Sequence, residues 1–145
     1  MTHTHPEAAA GAIAVALAAG VAVGGGSGED LLRAAIEWTP EGRVRSGVVE
    51  ALTLLGQPHA EYAAHRLGNG RHVSAADTVP FALWCAARHL ERYEDARWAC
   101  SSVGRDVDTT CAIVGGIVAA RVGVDGIPPA WREATEPLPA WTAWA

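Results

Sequence analysis

The chain has 145 residues, of which 50% are hydrophobic and 19% are charged, a composition typical of one folded domain rather than of a disordered chain. Its formal net charge is −5, and its 11 basic residues are all arginines that are scattered along the sequence instead of forming a run. We therefore expect neither a nucleic-acid partner nor binding to an anionic membrane surface.

The predicted elements are helices, because proline and glycine residues bound apolar segments with helical spacing. Pro6 suits a first helical turn, the glycines at 24–26 end that helix, and Asp77 is the predicted cap of a later helix with Pro80 in its first turn. No alternating strand pattern or hairpin signal occurs, so we expect an all-α protein, a compact multi-helix bundle over residues 1–145. The predicted helical segments are 7–23, 29–38, 42–56, 58–67, 77–93, 93–104 and 108–123, followed by a proline-led helical turn near residue 128.

The first helix and the cysteines indicate the cellular compartment in which the protein is expected. Residues 8–23 are apolar, but they consist of weakly hydrophobic alanine and glycine and follow no basic region, so we expect a buried helix rather than a signal peptide or a membrane span. Cys85, Cys100 and Cys111 have no metal-ligand or redox spacing and lie among apolar neighbours. They are interpreted as small core residues in a reducing compartment, and the protein is predicted to be cytoplasmic.

The last long helix is unusual because it is apolar on nearly every face. Ala112, Gly116 and Ala120 recur at intervals of four, and small residues in such a stripe let neighbouring helices approach closely. The pattern predicts a central, buried helix.

Two aspartates and a threonine begin this helix, and they have two interpretations. Asp106, Asp108 and Thr109 are residue types that cap helix N-termini and complement the helix dipole. One aspartate is enough for a cap, whereas two carboxylates at i and i+2 beside a hydroxyl are oxygen ligands of the kind that Mg²⁺ or Mn²⁺ requires. The spacing alone leaves capping and metal binding both open.

Several segments resemble the ADP-ribosylglycohydrolases, the family of dinitrogenase reductase-activating glycohydrolase. Its late Gly-Gly-Asp-x-Asp-Thr motif, which opens an Ala/Gly-rich helix, is similar to residues 104–109, and its "IP..W" segment is similar to residues 127–131. Its mid-domain Thr-His-x-x-Pro segment resembles residues 2–18, and its Gly-x-Gly loop followed by a proline-led helix resembles residues 68–86. Arg105 and Val107 depart from the motif, where the family commonly has Gly and Thr.

The resemblance implies an all-α fold and a hydrolase that uses two divalent ions, Mg²⁺ or Mn²⁺, to cleave the glycosidic bond of an ADP-ribosylated protein side chain or a small ADP-ribose conjugate. It implies three metal ligands: Asp106, Asp108 and Thr109. It also implies that His3 contacts the substrate, and it indicates His5 less specifically. It also places this chain in the C-terminal part of the domain, because the family's early Thr-Asp-Asp motif, which supplies its other metal ligands, has no counterpart here. The resemblance assigns no catalytic acid or base to this chain.

Two alternatives remain beside the hydrolase. The chain could be a non-catalytic, crystallin-like relative, or a helical interaction module with an incomplete metal site. In each case an oligomer or a partner is expected to cover the face on which the N-terminal helices of the family would pack.

Overall fold

The computed structural model describes residues 4–137 and 139, and within them the chain folds into packed helices without a strand. This confirms the predicted all-α class. A turn of 3-10 helix, Val124–Gly126, follows the seventh helix. The helices are α1 (Pro6–Val23), α2 (Gly28–Trp38), α3 (Arg43–Thr53), α4 (Ala60–Leu67), α5 (Ala75–Arg88), α6 (Tyr93–Ser101), α7 (Val107–Val122) and α8 (Pro129–Glu133).

Helix α5 lies at the centre of the fold, and every residue from Thr78 to Ala87 is buried. Helices α1, α2, α3, α4, α6 and α7 all pack against it. The rings of Phe81 and Trp84 stack at its core with their centroids 6.1 Å apart. Because α5 contacts every other long helix, its position determines where the N-terminus of α7 lies.

The start of α5 differs from the prediction. The helix begins at Ala75 after Ser74, so Asp77 lies inside its first turn and Pro80 lies beyond that turn. The Asp77 carboxylate does not cap the helix: its Oδ2 accepts a hydrogen bond from the backbone N–H of His72 at 2.7 Å. The predicted cap was therefore wrong, because this carboxylate binds the preceding loop instead.

Helix α3 ends at Thr53, before its predicted limit, and side chains of α5 bind the carbonyl groups that follow it. The indole Nε1 of Trp84 donates to the carbonyl oxygen of Leu54 at 2.8 Å, and the guanidinium of Arg88 donates to that of Leu55 at 2.8 Å. The helix cannot continue past this point in any case, because Pro58 has no N–H to donate to the Leu54 carbonyl, which the Gln57 N–H also reaches at 2.8 Å.

Helix α1 buries one face only. Its buried residues, all of them small, are Ala10, Gly11, Ala14, Ala18 and Ala22. Ile13, Ala16 and Gly20 lie on the exposed face. By length and composition the helix could cross a membrane, with a mean hydropathy of 1.7 and 28% of its residues buried. The prediction of a buried helix thus holds for one face of α1 and not for the whole helix.

Glu7 joins the beginnings of α1 and α3. Its two carboxylate oxygens accept hydrogen bonds from the backbone N–H groups of Arg43 and Val44, each at 2.8 Å. Helix α3 has no capping side chain of its own, because Gly42 precedes it. Glu7 therefore caps α3 from another helix, and these hydrogen bonds hold the pKa of its carboxyl below the ordinary value of 4.5.

Replacing Glu7 by Gln is expected to lower the free energy of unfolding by about 1 kcal/mol near neutral pH, because a charge-assisted acceptor is lost. Since folding lowers the pKa of this carboxyl, its contribution is fully present above about pH 4.5 and is lost as the pH falls through the lower, folded-state pKa. Urea denaturation of both proteins at neutral and acidic pH should show the difference shrinking with acidification. Glu37→Gln, on an exposed position of α2, is the control and should change little at either pH; a Glu7→Gln difference that persists in acid would contradict the assignment.

Candidate metal and substrate site

Asp106, Asp108 and Thr109 lie together where α7 begins, as the sequence predicts. Asp106 occupies the position before the helix and is half-buried, whereas Asp108 and Thr109 are exposed in the first turn. In the described part of the chain no hydrogen bond or ion pair engages either carboxylate. Of the two interpretations, capping does not hold for the Asp106 side chain, since this carboxylate makes no capping hydrogen bond.

The backbone of Asp106 is held from the helix side by Thr110. The Oγ1 hydroxyl of Thr110 donates to the carbonyl oxygen of Asp106 at 2.6 Å, and the Thr110 N–H donates to the same oxygen at 3.0 Å. Thr110 is completely buried. This pair of bonds fixes the peptide between Asp106 and Val107 and leaves the carboxylate free.

The loop of residues 68–74 holds Asp106 from the other side. The N–H of Arg105 donates to the carbonyl oxygen of Asn69 at 2.7 Å, and the Asn69 side-chain amide donates to the carbonyl oxygen of Val103 at 3.3 Å. Gly70 is in close contact with Asp106, because a Cβ atom at residue 70 would lie 2.5 Å from the Cβ of Asp106. Gly70 also has a φ of +87°, a conformation that glycine adopts without strain.

Val73 of the same loop has an uncommon backbone conformation. Its φ is +47°, which is unfavourable for a β-branched residue, and its side chain is 80% exposed. The Val73 N–H donates to the carbonyl oxygen of Gly70 at 3.1 Å. The loop thus keeps Val73 at the rim of the site, where it lines both of the cavities described next.

Two adjoining cavities share Val73, Asp106 and Thr109. The first, of about 450 Å³, has both polar and apolar walls, and two arginines are among its lining residues. It is lined by Gly70, Arg71, Val73, Arg105, Asp106, Asp108 and Thr109. The second, of about 600 Å³, is mainly apolar and runs between α1, α5 and α7, with Gly11, Val15, Val79 and Ile113 among its lining residues.

The donor set fits one side of a divalent-metal site and no more. Two carboxylates and a hydroxyl at the rim of one cavity are hard oxygen donors suited to Mg²⁺ or Mn²⁺. Within residues 4–137 and 139, however, no group of three or more His, Cys, Asp or Glu side chains is arranged to hold a metal ion. A complete coordination shell would need further ligands beyond Asp106, Asp108 and Thr109.

The three cysteines are buried and unpaired, as predicted for small core residues. They lie on α5, α6 and α7, and the Cys111 Sγ lies 4.0 Å from the carbonyl oxygen of Arg97. Burial raises the pKa of the Cys85 thiol, and it raises the pKa of the Cys111 thiol to about 11. These two thiols are therefore protonated near neutral pH and are unsuited to binding a soft metal as thiolates.

The resemblance also indicates two histidines as substrate contacts, His3 and His5. His3 lies outside the described residues. His5 precedes α1, and its Nδ1 accepts a hydrogen bond from the N–H of Glu7 at 3.2 Å, so it caps that helix. Sequence reasoning missed Thr110, whose hydroxyl holds the Asp106 carbonyl oxygen, and nothing in the sequence distinguished it.

A model of the ADP-ribosylglycohydrolase family matches residues 1–144. Among curated proteins, the chain is similar to ADP-ribosylhydrolase ARH3 from Homo sapiens, with 30% identity over 86 residues that cover 52% of this chain and 23% of that protein. The chain thus spans about a quarter of the length of this relative. No solved structure matches the chain significantly. Because the family match extends over almost the whole sequence, this chain belongs to the ADP-ribosylglycohydrolase family.

Proposed function

We propose that this chain forms one side of the metal site of an ADP-ribosylglycohydrolase-type hydrolase, which cleaves the glycosidic bond between ADP-ribose and a protein side chain or a small conjugate. The observation that supports this most directly is the pair of Asp106 and Asp108 carboxylates, which no other group in the described residues engages and which face one cavity beside Thr109. Family membership supports hydrolase chemistry in general. The metal, the substrate and the activity of this chain are part of the proposal.

Each group in the cavity has a role in this proposal. Asp106, Asp108 and Thr109 would hold Mg²⁺ or Mn²⁺, which when bound supplies a Lewis acid and an activated water. The guanidinium groups of Arg71 and Arg105 line the same cavity, and neither forms an ion pair with another described residue. They are placed to attract the diphosphate of ADP-ribose, since guanidinium groups bind phosphate oxygens through paired hydrogen bonds. His3 is proposed as a further substrate contact on the basis of the resemblance alone.

The site needs a partner for completion. The described residues contain too few acidic or imidazole ligands around Asp106 to enclose a metal, and the exposed face of α1 is apolar. We propose that a further helical segment, or an oligomer of this chain, covers this face and that the complex acts in the cytoplasm. The same two observations favour the second candidate function, a non-catalytic relative that serves as a helical interaction module.

Thermal unfolding with and without Mn²⁺ and ADP-ribose tests the proposal. If Mn²⁺ binds the folded chain at a hundred times its dissociation constant, stability should rise by about 2.7 kcal/mol, which for a domain of this size is a shift in Tm of roughly 5–10 °C. An Asp106→Ala/Asp108→Ala variant should lose that shift. Glu37→Ala/Glu133→Ala, which removes two exposed carboxylates elsewhere, is the charge-matched control and should keep it. A cooperative transition that Mn²⁺ does not move would contradict metal binding by this chain and favour the interaction module.

A further inference from the structure

Asp77 is half-buried and lies outside the two cavities that contain Asp106, yet its contacts lead to Asp106 through the 68–74 loop. We infer that Asp77 is a positioning residue for the proposed metal site: it fixes the 68–74 loop, and the loop holds Asp106 so that its carboxylate faces the cavity instead of capping α7. The inference rests on the proposed function, because it concerns the same site.

The first step is the attachment of the loop to Asp77. Its Oδ2 accepts the N–H of His72 at 2.7 Å, and its carbonyl oxygen accepts the N–H of Gly70 at 3.0 Å. Gly68 is also pressed against it, because a Cβ at residue 68 would lie 2.5 Å from both the carbonyl oxygen and the Oδ1 of Asp77. Since Asp77 belongs to the first turn of the buried helix α5, the loop is attached to the rigid centre of the fold.

The second step is the contact between the loop and Asp106. Gly70 packs so closely on Asp106 that a Cβ at residue 70 would lie 2.9 Å from the backbone nitrogen of Asp106 as well as 2.5 Å from its Cβ. The N–H of Arg105 donates to the loop carbonyl of Asn69 at 2.7 Å. The residues on both sides of the Arg105–Asp106 peptide bond are therefore in contact with one loop, and that loop is held by Asp77.

The third step is the conformation that results. A residue that caps a helix through its side chain has an extended backbone, whereas Asp106 has φ −94° and ψ 69° and makes no capping hydrogen bond. Thr110 holds the carbonyl oxygen of Asp106 from the helix side, so the residue is fixed from both directions. If the loop were released, the Asp106 carboxylate would be free to turn toward the unpaired N–H groups of the first turn of α7.

Two substitutions of Asp77 test this inference. Asp77→Ala removes the acceptor of the His72 N–H, whereas Asp77→Asn retains an oxygen acceptor at the same position. Mn²⁺ affinity, measured from the electron paramagnetic resonance signal of free Mn²⁺, is expected to fall about tenfold or more in Asp77→Ala and to stay within about threefold of wild type in Asp77→Asn. Asp30→Ala removes the carboxylate of the α2 capping box, which lines neither cavity, and controls for a general loss of stability.

Amide hydrogen exchange provides a readout that needs no metal. In Asp77→Ala the Arg105 amide should lose protection, and the amides of Asp108 and Thr109 should gain protection as the Asp106 carboxylate caps the helix; Asp77→Asn should exchange like wild type. Unchanged exchange at all three amides in Asp77→Ala, or unchanged Mn²⁺ affinity, overturns the positioning role. A wild-type chain that binds no Mn²⁺ overturns the proposed function instead, and the exchange data still decide the role of Asp77.

Discussion

Gly28→Ala is expected to lower the free energy of unfolding by about 3 kcal/mol or more, because the added methyl group would overlap backbone atoms of another helix. Gly28 is the first residue of α2, and a Cβ atom there would lie 2.0 Å from the carbonyl oxygen of Ala87 and 2.7 Å from its carbonyl carbon. These are backbone atoms of the central helix α5, so no side-chain rotation can relieve the overlap. Helix α2 must move away from α5, which opens the packing around Leu31 and Leu32, both completely buried. Urea denaturation monitored by circular dichroism measures the change.

Gly20→Ala is the matched control for this substitution. Gly20 lies inside α1 on its exposed face, and a Cβ there would meet nothing within 4 Å. Because alanine has the higher helix propensity, this variant should gain roughly 0.5–1 kcal/mol. If Gly28→Ala unfolded at the same urea concentration as wild type, α2 and α5 could not be packed as closely as described here.

The helices themselves were predictable because their ends are encoded locally. Pro6 and the glycines at 24–26 bound α1, and Gly68 and Gly123 directly follow α4 and α7. The contact of Gly28 with Ala87 was not predictable, since it joins residues that are distant in the sequence and depends on how two helices cross. The hydrogen bonds from Trp84 and Arg88 of α5 to the carbonyl groups after α3 were unpredictable for the same reason.

The prediction that α7 is buried on nearly every face was wrong for one stripe. Ala112 and Gly116 are exposed, and a Cβ at Gly116 would meet no atom within 4 Å. Apolar periodicity shows which faces avoid water, but it does not identify what covers them. Small residues at Ala112 and Gly116 leave room for another helix to approach closely, but the pattern alone does not identify one.

The candidate site was predictable in composition but not in geometry. Asp106, Asp108 and Thr109 are local in sequence, so their convergence at the start of α7 follows from helix formation alone. Helix formation alone does not explain why the Asp106 carboxylate is unpaired. The backbone of Asp106 is held by the contact with Gly70 and by the hydrogen bond from the Thr110 hydroxyl. The capping preference of aspartate predicts that the Asp106 side chain accepts a hydrogen bond from the first turn of α7. The tertiary contacts of the 68–74 loop override this preference.

Trp84→Ala is expected to lower the free energy of unfolding by about 3–5 kcal/mol, because a completely buried indole leaves a cavity in the core. Three contacts would be lost with it. The ring stacks on Phe81 at 6.1 Å between centroids, lies 5.9 Å from the guanidinium carbon of Arg88, and donates its Nε1–H to Leu54 at 2.8 Å. Trp38→Ala, at a side chain that is 67% exposed, should change the stability by less than about 0.5 kcal/mol in the same urea titration.

Trp84→Phe removes the indole N–H but keeps an aromatic ring at this position. The same variant also tests what positions the proposed metal site. Losing the indole donor removes one of two hydrogen bonds to the Leu54 carbonyl, which the Gln57 N–H still reaches at 2.8 Å, and should cost about 1 kcal/mol in addition to the lost ring volume. The substitution touches none of the contacts between Asp77, the 68–74 loop and Asp106. If the proposed site is set by those local contacts, Mn²⁺ affinity of the folded fraction should stay at the wild-type value while stability falls. A parallel fall in affinity would mean that the packing of α5 as a whole, rather than Asp77, determines the position of the Asp106 carboxylate.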